Sequence, residues 1–135
     1  MDYLARRLRA ASESELERFG LRARHVIALT LLRDFGERPQ ADLAGMLRLD
    51  PTNVVGLLNE LESDGLVERR RSTTDRRRHT VALTGDGASR LAAVEEALEG
   101  VEHRMLGTLD DRQRAALNEL LHLAVGEVGD CSETC

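Results

Sequence analysis

A mainly α-helical fold with one small β-hairpin is predicted by three features of the chain. Apolar residues recur at three- and four-residue spacing along most of its length. Helix-starting and helix-stopping residues stand at the ends of those periodic stretches. The period shortens to two at one place, around residues 66–83, where it brackets a polar connector. With 135 residues, the chain has room for one core and not for two independent ones, so a single domain over 1–135 is expected.

Residues 2–18 read as a short charged helix with Leu4, Leu8, Ala11 and Leu16 as its apolar points. Leu21 to Phe35 reads as a second helix, nearly all apolar in its second half. Leu21, Ala28, Leu32 and Phe35 share a stripe that continues through His25, and Gly36 suits its C-terminal stop. Residues 40–47 form a short amphipathic helix. A tight turn then leads to Asp50-Pro51, where Asp50 is a good N-cap and Pro51 a good first helical residue. The helix that starts there runs TNVVGLLNELES and stops near Asp64-Gly65. Its spacing turns Val54, Leu57, Leu58 and Leu61 inward and leaves Thr52, Asn53, Gly56, Asn59, Glu60 and Ser63 outside.

Leu66–Arg71 and His79–Leu83 read as two strands joined by S-T-T-D-R-R-R, a hairpin with a projecting tip. Thr84 can cap the long helix that follows. In it Leu91, Val94, Leu98, Val101 and Met105 repeat in 3-4-3-4 steps, a seam suited to another helix. A chain of this length has little interior to spare, so the expected partner of that seam is a second copy, the alternative being the chain's own neighbouring helices. After a break at Gly107, Asp110-x-x-Gln113 is a capping box. It opens a last helix with Leu117, Leu120, Leu121, Ala124 and Val128 on one face. The tail GDCSETC is expected to fray.

Composition narrows the function. Aromatic residues are 2% of the chain, which argues against a single-strand binder built on stacking rings. The longest mostly apolar run, Val26–Leu32, is too short to span a bilayer, and the N-terminus lacks a signal-like apolar core, so a soluble cytoplasmic protein is expected. No phosphate-cradling glycine loop, H-E-x-x-H or placed nucleophile and base is present, and no enzyme is expected. His25, His79, His103 and His122 have no zinc-ligand spacing, and no cofactor or metal is expected.

Charge is the informative quantity. The net charge is −5, and all 19 basic residues are arginine. Six of them, Arg69, Arg70, Arg71, Arg76, Arg77 and Arg78, fall within ten residues that hold one acid, Asp75. A sharply local basic patch on an acidic body points to a polyanion.

Two short helices joined by a tight turn and followed by a hairpin describe a winged helix-turn-helix. Its second helix lies in the major groove of duplex DNA with its N-terminal residues at base edges. Here those are Thr52 and Asn53. Asn pairs with adenine through two bonds, and a Thr methyl meets a thymine methyl. Gly56 makes sense mid-helix if the backbone must sit close to DNA, and Asn59 lies one turn further on. A helix carrying these residues outward is equally an ordinary solvated helix, and the acids Glu60, Glu62 and Asp64 count against a phosphate contact at its end. The arginine hairpin tips the balance. Six like charges on one hairpin repel each other, and a wing tip bearing arginine fits the narrow minor groove. Asp75 reads as a brace for a neighbouring guanidinium or as a plain turn residue.

The run L-A-G-M-L-R-L-D-P-T-N-V-V-G-L-L-N-E-L-E-S-D-G-L-V-E-R-R followed by D-R-R-R-H-T-V-A-L-T-G-D-G resembles the MarR family of bacterial transcriptional regulators. The marks are E-L-E-x-x-G-L-V-x-R after the recognition helix, the D-R-R wing and L-T-x-x-G before the next helix. Together they cover residues 40–87, and G-L-R-A-R-H-V-I-A-L upstream is similar to the family's second helix. The resemblance implies an obligate homodimer whose first and last helices interleave, with residues 21–83 as the DNA-binding part and residues 1–20 and 84–130 as the dimerisation part. It implies one winged helix per protomer on a pseudo-palindromic operator. The residues read above as facing DNA are Thr52, Asn53, Gly56, Asn59, Arg69, Arg71, Asp75, Arg76, Arg77 and Arg78; the resemblance implies that Asp75 braces the wing and that Arg76 or Arg77 enters the minor groove. It implies repression, relieved in many members by a small, often phenolic, effector. Two departures stand out: the wing lacks the proline common before D-R-R, and Gly56 replaces a larger polar or basic residue.

His25 has two readings, a satisfied core or interface residue or a residue of the effector pocket, which this helix lines in the family. Cys131 and Cys135, the only cysteines, are expected to be reduced in a mobile tail. Their spacing allows a disulfide on a helix, and with it a thiol-based redox switch, although Asp130 and Glu133 disfavour the thiolate. The remaining alternative is a winged-helix module whose arginines meet an acidic protein.

Overall fold

The computed structural model describes residues 1–74 and 78–126. In chain order the elements are α1 (Asp2–Arg18), α2 (Ala23–Phe35), β1 (Arg38–Pro39), α3 (Gln40–Leu47), α4 (Pro51–Ser63), β2 (Val67–Arg71), β3 (His79–Leu83), α5 (Gly85–Met105) and α6 (Asp111–Val125). The expected order of helices and hairpin is present. β2 and β3 pair antiparallel, with Val67 opposite Leu83 and Arg71 opposite His79.

The sequence reading lacked β1. Its two residues pair antiparallel with β3, Arg38 opposite Val81 and Pro39 opposite Thr80, so the sheet order is β1-β3-β2. Two residues are too few to carry a strand period. Pro39 donates no hydrogen bond, which is tolerated because β1 is an edge strand.

The helix boundaries follow their caps. The Asp50 side chain accepts the Asn53 amide at 2.9 Å, and Pro51 occupies the first turn of α4. Asp110 and Gln113 cap α6 reciprocally at 2.8 and 2.9 Å. α4 ends in a Gly65 with φ +74, where the Leu66 amide reaches back to the Leu61 carbonyl, a closure that favours glycine. α3 ends without that signal: Arg48 itself takes φ 54. The Leu49 amide then reaches the Ala44 carbonyl at 3.1 Å, closing the turn between α3 and α4.

Val54, Leu57, Leu58 and Leu61 of α4 are all buried, as their spacing predicts. They join Leu29 and Leu32 of α2, Leu43 of α3, Leu66 and Val67, Val81 of β3, and Leu91 and Val94 of α5 in one core. Phe35 departs from its predicted stripe and is 54% exposed. It is the last residue of α2, beyond the reach of the elements that cover Leu32.

The seam of α5 also corrects an expectation. Leu91, Val94 and Val101 are buried within the chain, and Leu98 is partly buried against the same core. α5 packs on α1 and α2 of its own chain, so the seam needs no second copy. Arg90 donates to the Phe19 carbonyl at 3.1 Å, and Arg104 pairs with Glu15, fixing α1 along α5. Arg33 pairs with Glu95 to tie α2 to α5. The apolar surface left over lies elsewhere. No residue of α6 is buried, and Leu120, Leu121, Leu123 and Val125 are exposed together with Leu4 of α1.

One close approach holds the hairpin to α5. Thr84 donates its hydroxyl to the Gly65 carbonyl at 2.7 Å and accepts the Gly87 amide at 2.9 Å. A Cβ on Gly87 would stand 2.1 Å from the Leu66 carbonyl oxygen, a clash that only backbone movement could relieve. Gly87→Ala is expected to destabilise the fold by about 2–3 kcal/mol, read as a lower denaturant midpoint in urea unfolding. An unchanged midpoint would show that this approach can relax.

Candidate nucleic-acid interface

α4 presents two opposite sides. Its aliphatic side is in the core, so Thr52, Asn53, Val55, Gly56, Asn59 and Glu60 are all exposed. The first turn faces solvent, and its amides carry the positive end of the helix dipole. Beyond the adjoining residues and the helix's own backbone, no described atom lies within 4 Å of where a Cβ on Gly56 would stand. The fold itself therefore does not require glycine at this position.

The polar residues of this surface have internal partners. Asn53 Nδ2 donates to Asp50 Oδ2 at 2.8 Å, so its amide doubles the N-cap. Asn59 Oδ1 accepts from Arg69 Nη2 at 2.5 Å. Arg69 also meets Glu62 three times: its backbone amide and Nε lie 3.2 Å from Oε2, and Nη2 lies 3.0 Å from Oε1. This geometry follows from strand alternation. Val67 is buried beneath α4, so Arg69, two residues on, points to the same side. The Arg69 hydrogen bonds hold the Glu62 carboxyl below its usual range.

The opposite side of β2 carries Glu68 and Arg70, which pair at 3.2 Å. That pair lowers the Glu68 carboxyl and raises the Arg70 guanidinium, through the shared hydrogen bond first. Two of the six hairpin arginines are thus balanced by carboxylates of the fold itself. This corrects the premise that only a polyanion could compensate the run. Arg71 is exposed at the end of β2, and its side chain has no hydrogen bond or ion pair among the described residues. Arg78 is exposed just before β3, and its carbonyl accepts the Ser72 amide at 2.9 Å. Asp75, Arg76 and Arg77 lie outside the described residues, as do Cys131 and Cys135.

His25 is 7% exposed. Its Nδ1 accepts the Arg22 amide at 2.9 Å at the start of α2. With Nδ1 accepting, the ring proton sits on Nε2 and is donated to Glu60 Oε2 at 2.6 Å. His25 is thereby a satisfied residue that joins the start of α2 to α4. Glu60 and Glu62, which counted against a phosphate contact, are both occupied inside the fold. Among the described residues no cluster of three His, Cys, Asp or Glu could hold a metal, and no helix is long and apolar enough to cross a membrane.

Sequence reasoning missed two residues of this surface. Val55 was assigned to neither side of α4, because a β-branched apolar residue beside Val54 gives no local sign of exposure. Glu62 was read only as an acidic charge. Its partner is seven residues away across the turn, a separation set by the helix-to-strand angle.

The clamp at the base of the wing generates a pH prediction. Because Arg69 lowers the Glu62 pKa, its stabilisation is present above the unfolded carboxyl value of about 4.3 and is lost as pH falls through the folded value. Melting temperature is expected to drop on acidification below about pH 4.5, and less steeply in Glu62→Gln. Parallel acid limbs for the two proteins would rule out the clamp.

Comparison with known proteins follows the same residues. Residues 21–79 match the MarR family. A putative transcriptional regulatory protein for the hcr operon of Thauera aromatica is 35% identical over 82 residues, 61% of this chain and 49% of that protein. The transcriptional repressor NicR of Pseudomonas putida is 30% identical over 95 residues, 70% of this chain and 60% of that protein. The chain thus spans about half the length of the curated relatives it matches. A crystal structure of a cysteine-to-serine mutant of MarR from E. coli, complexed with operator DNA, shares the fold at a TM-score of 0.70 and 21% identity, covering 93% of this chain and 90% of that one. Through residues 21–79 the chain belongs to the MarR family, as the motif run over residues 40–87 implied.

Proposed function

We propose that the chain is a homodimeric transcriptional regulator, a repressor, that binds a pseudo-palindromic operator in duplex DNA. One observation carries this reading. The side of α4 opposite the core is bare, starts at an uncovered helix N-terminus, and stands beside an arginine-bearing hairpin tied to it by Arg69, Asn59 and Glu62. α4 enters the major groove with Thr52 and Asn53 foremost. The wing follows to the minor groove, where Arg76 or Arg77 is inserted and Arg71 and Arg78 meet flanking phosphates. Arg69 acts at one remove, by fixing the angle between wing and helix. The repressor named NicR and the operator-bound MarR structure support the assignment by likeness.

Dimerisation uses α1 and α6 around residues 1–20 and 84–130. The support is the leftover apolar surface: Leu120 is 62% exposed and Leu123 is 73% exposed, on a helix with no fully buried residue. Residues 21–83 form the DNA-binding part. An effector that relieves repression would act at the junction of the two parts, where a cavity is lined by Leu21, Arg22, His25 and Glu60. A ligand there competes for the hydrogen bond between His25 and Glu60, and so reaches α4 directly.

Two measurements test the assignment. Titrating duplex DNA at increasing salt should show affinity falling steeply, and Arg76→Ala with Arg77→Ala should weaken binding to all sequences. The salt slope should flatten by about one for each phosphate that the double mutant leaves unneutralised. Normal operator binding by that double mutant would refute the wing. In light scattering, Leu120→Glu with Leu123→Glu should convert a dimer to a monomer, and a mutant that stays dimeric would move the interface away from α6.

A further inference from the structure

We infer that Val55 is a base-reading residue, and that it recognises the 5-methyl group of a thymine in each operator half-site. The inference rests on the DNA-binding reading above. Thr52, Val55, Gly56 and Asn59 stand at i, i+3, i+4 and i+7, which places them on one stripe of α4. That stripe faces away from Val54, Leu57, Leu58 and Leu61, with Val55 at its edge on the Leu58 side. Val55 is 39% exposed while its neighbour Val54 is 1% exposed, so the two valines do different work.

The free chain covers Val55 only in part, leaving 39% of it exposed. An exposed β-branched residue is a weaker helix former than Ala, Arg or Lys. Its exposed part faces water at the edge of an otherwise polar or side-chain-free stripe. The position gains its value when an apolar surface meets it, and the thymine methyl is the apolar group that the major groove displays.

The neighbours leave this approach open. Gly56 has no side chain, and beyond the adjoining residues and the helix's own backbone no described atom lies within 4 Å of the space one would fill. The helix can therefore sit deep, with Val55 unobstructed on that side. Asn53 turns its amide to Asp50, and Asn59 turns its carbonyl to Arg69. Asn53 and Asn59 are thus held by the fold, whereas Thr52 has no such partner among the described residues and Val55 stands beside it.

The test uses the full chain and a duplex recovered by in vitro selection from a random library. Each thymine is replaced by deoxyuridine, symmetrically in both half-sites, which removes one methyl and no hydrogen bond. Wild-type affinity should fall about tenfold at one thymine position, because one methyl group fewer is buried in each half-site. In Val55→Ala that position should become insensitive, while in Thr52→Ser it should remain sensitive. Circular dichroism confirms that Val55→Ala is folded, as its exposure requires. A flat scan on a duplex the wild type binds overturns the role of Val55 alone. So does methyl sensitivity that persists in Val55→Ala or vanishes in Thr52→Ser. A library yielding no bound duplex overturns the DNA-binding reading itself, and this inference with it.

Discussion

Burial of Val54, Leu57, Leu58 and Leu61 on one side of α4 is the constraint on which the rest depends. These four side chains belong to the one core that α4 shares with α2, α3, the sheet and α5. Removing a leucine from such a place typically costs about 2–5 kcal/mol, so the rotation of α4 about its axis is firmly set. Once that rotation is set, the opposite stripe must face solvent. The bare helix face follows from packing alone.

Ion pairs then refine what packing establishes. Glu60 and Glu62 sit near the end of α4 and point to opposite neighbours, one to His25 of α2 and the other to Arg69 of β2. Both are part-exposed, so each contributes modestly to stability. Their value is angular. The Arg69 guanidinium meets Glu62 and Asn59 together, which leaves little freedom in the hinge between helix and hairpin. The His25 ring uses both nitrogens, so the start of α2 and the reading helix are linked through one residue. Gly87 completes the frame by letting α5 approach the Leu66 carbonyl.

Most of the fold was legible because its signals are local. Asp50-Pro51, Gly65, Thr84 and the Asp110–Gln113 box mark helix ends through bonds spanning three to five residues. The inward residues of α4 follow from period alone. Signals with no local basis were missed. β1 exists because β3 offers it an edge, and Arg48 adopts a left-handed conformation where no glycine announces it. The α5 seam was legible as apolar, but its partner was not. An apolar stripe declares that it must be covered and carries no record of what covers it.

The site divides in the same way. Composition and spacing determined that a short capped helix with a polar outer side precedes an arginine-rich hairpin, since charge and period are properties of the chain itself. Only the tertiary structure decided which of those groups have internal partners. Arg69 and Arg70 are neighbours in sequence, yet alternation along β2 sends one to α4 and the other to Glu68. Asn53 and Asn59 are exposed as expected, yet each is held by a group that folding brings to it. Hydrogen bonds and ion pairs act over a few ångströms, and that proximity is created by packing rather than by order along the chain.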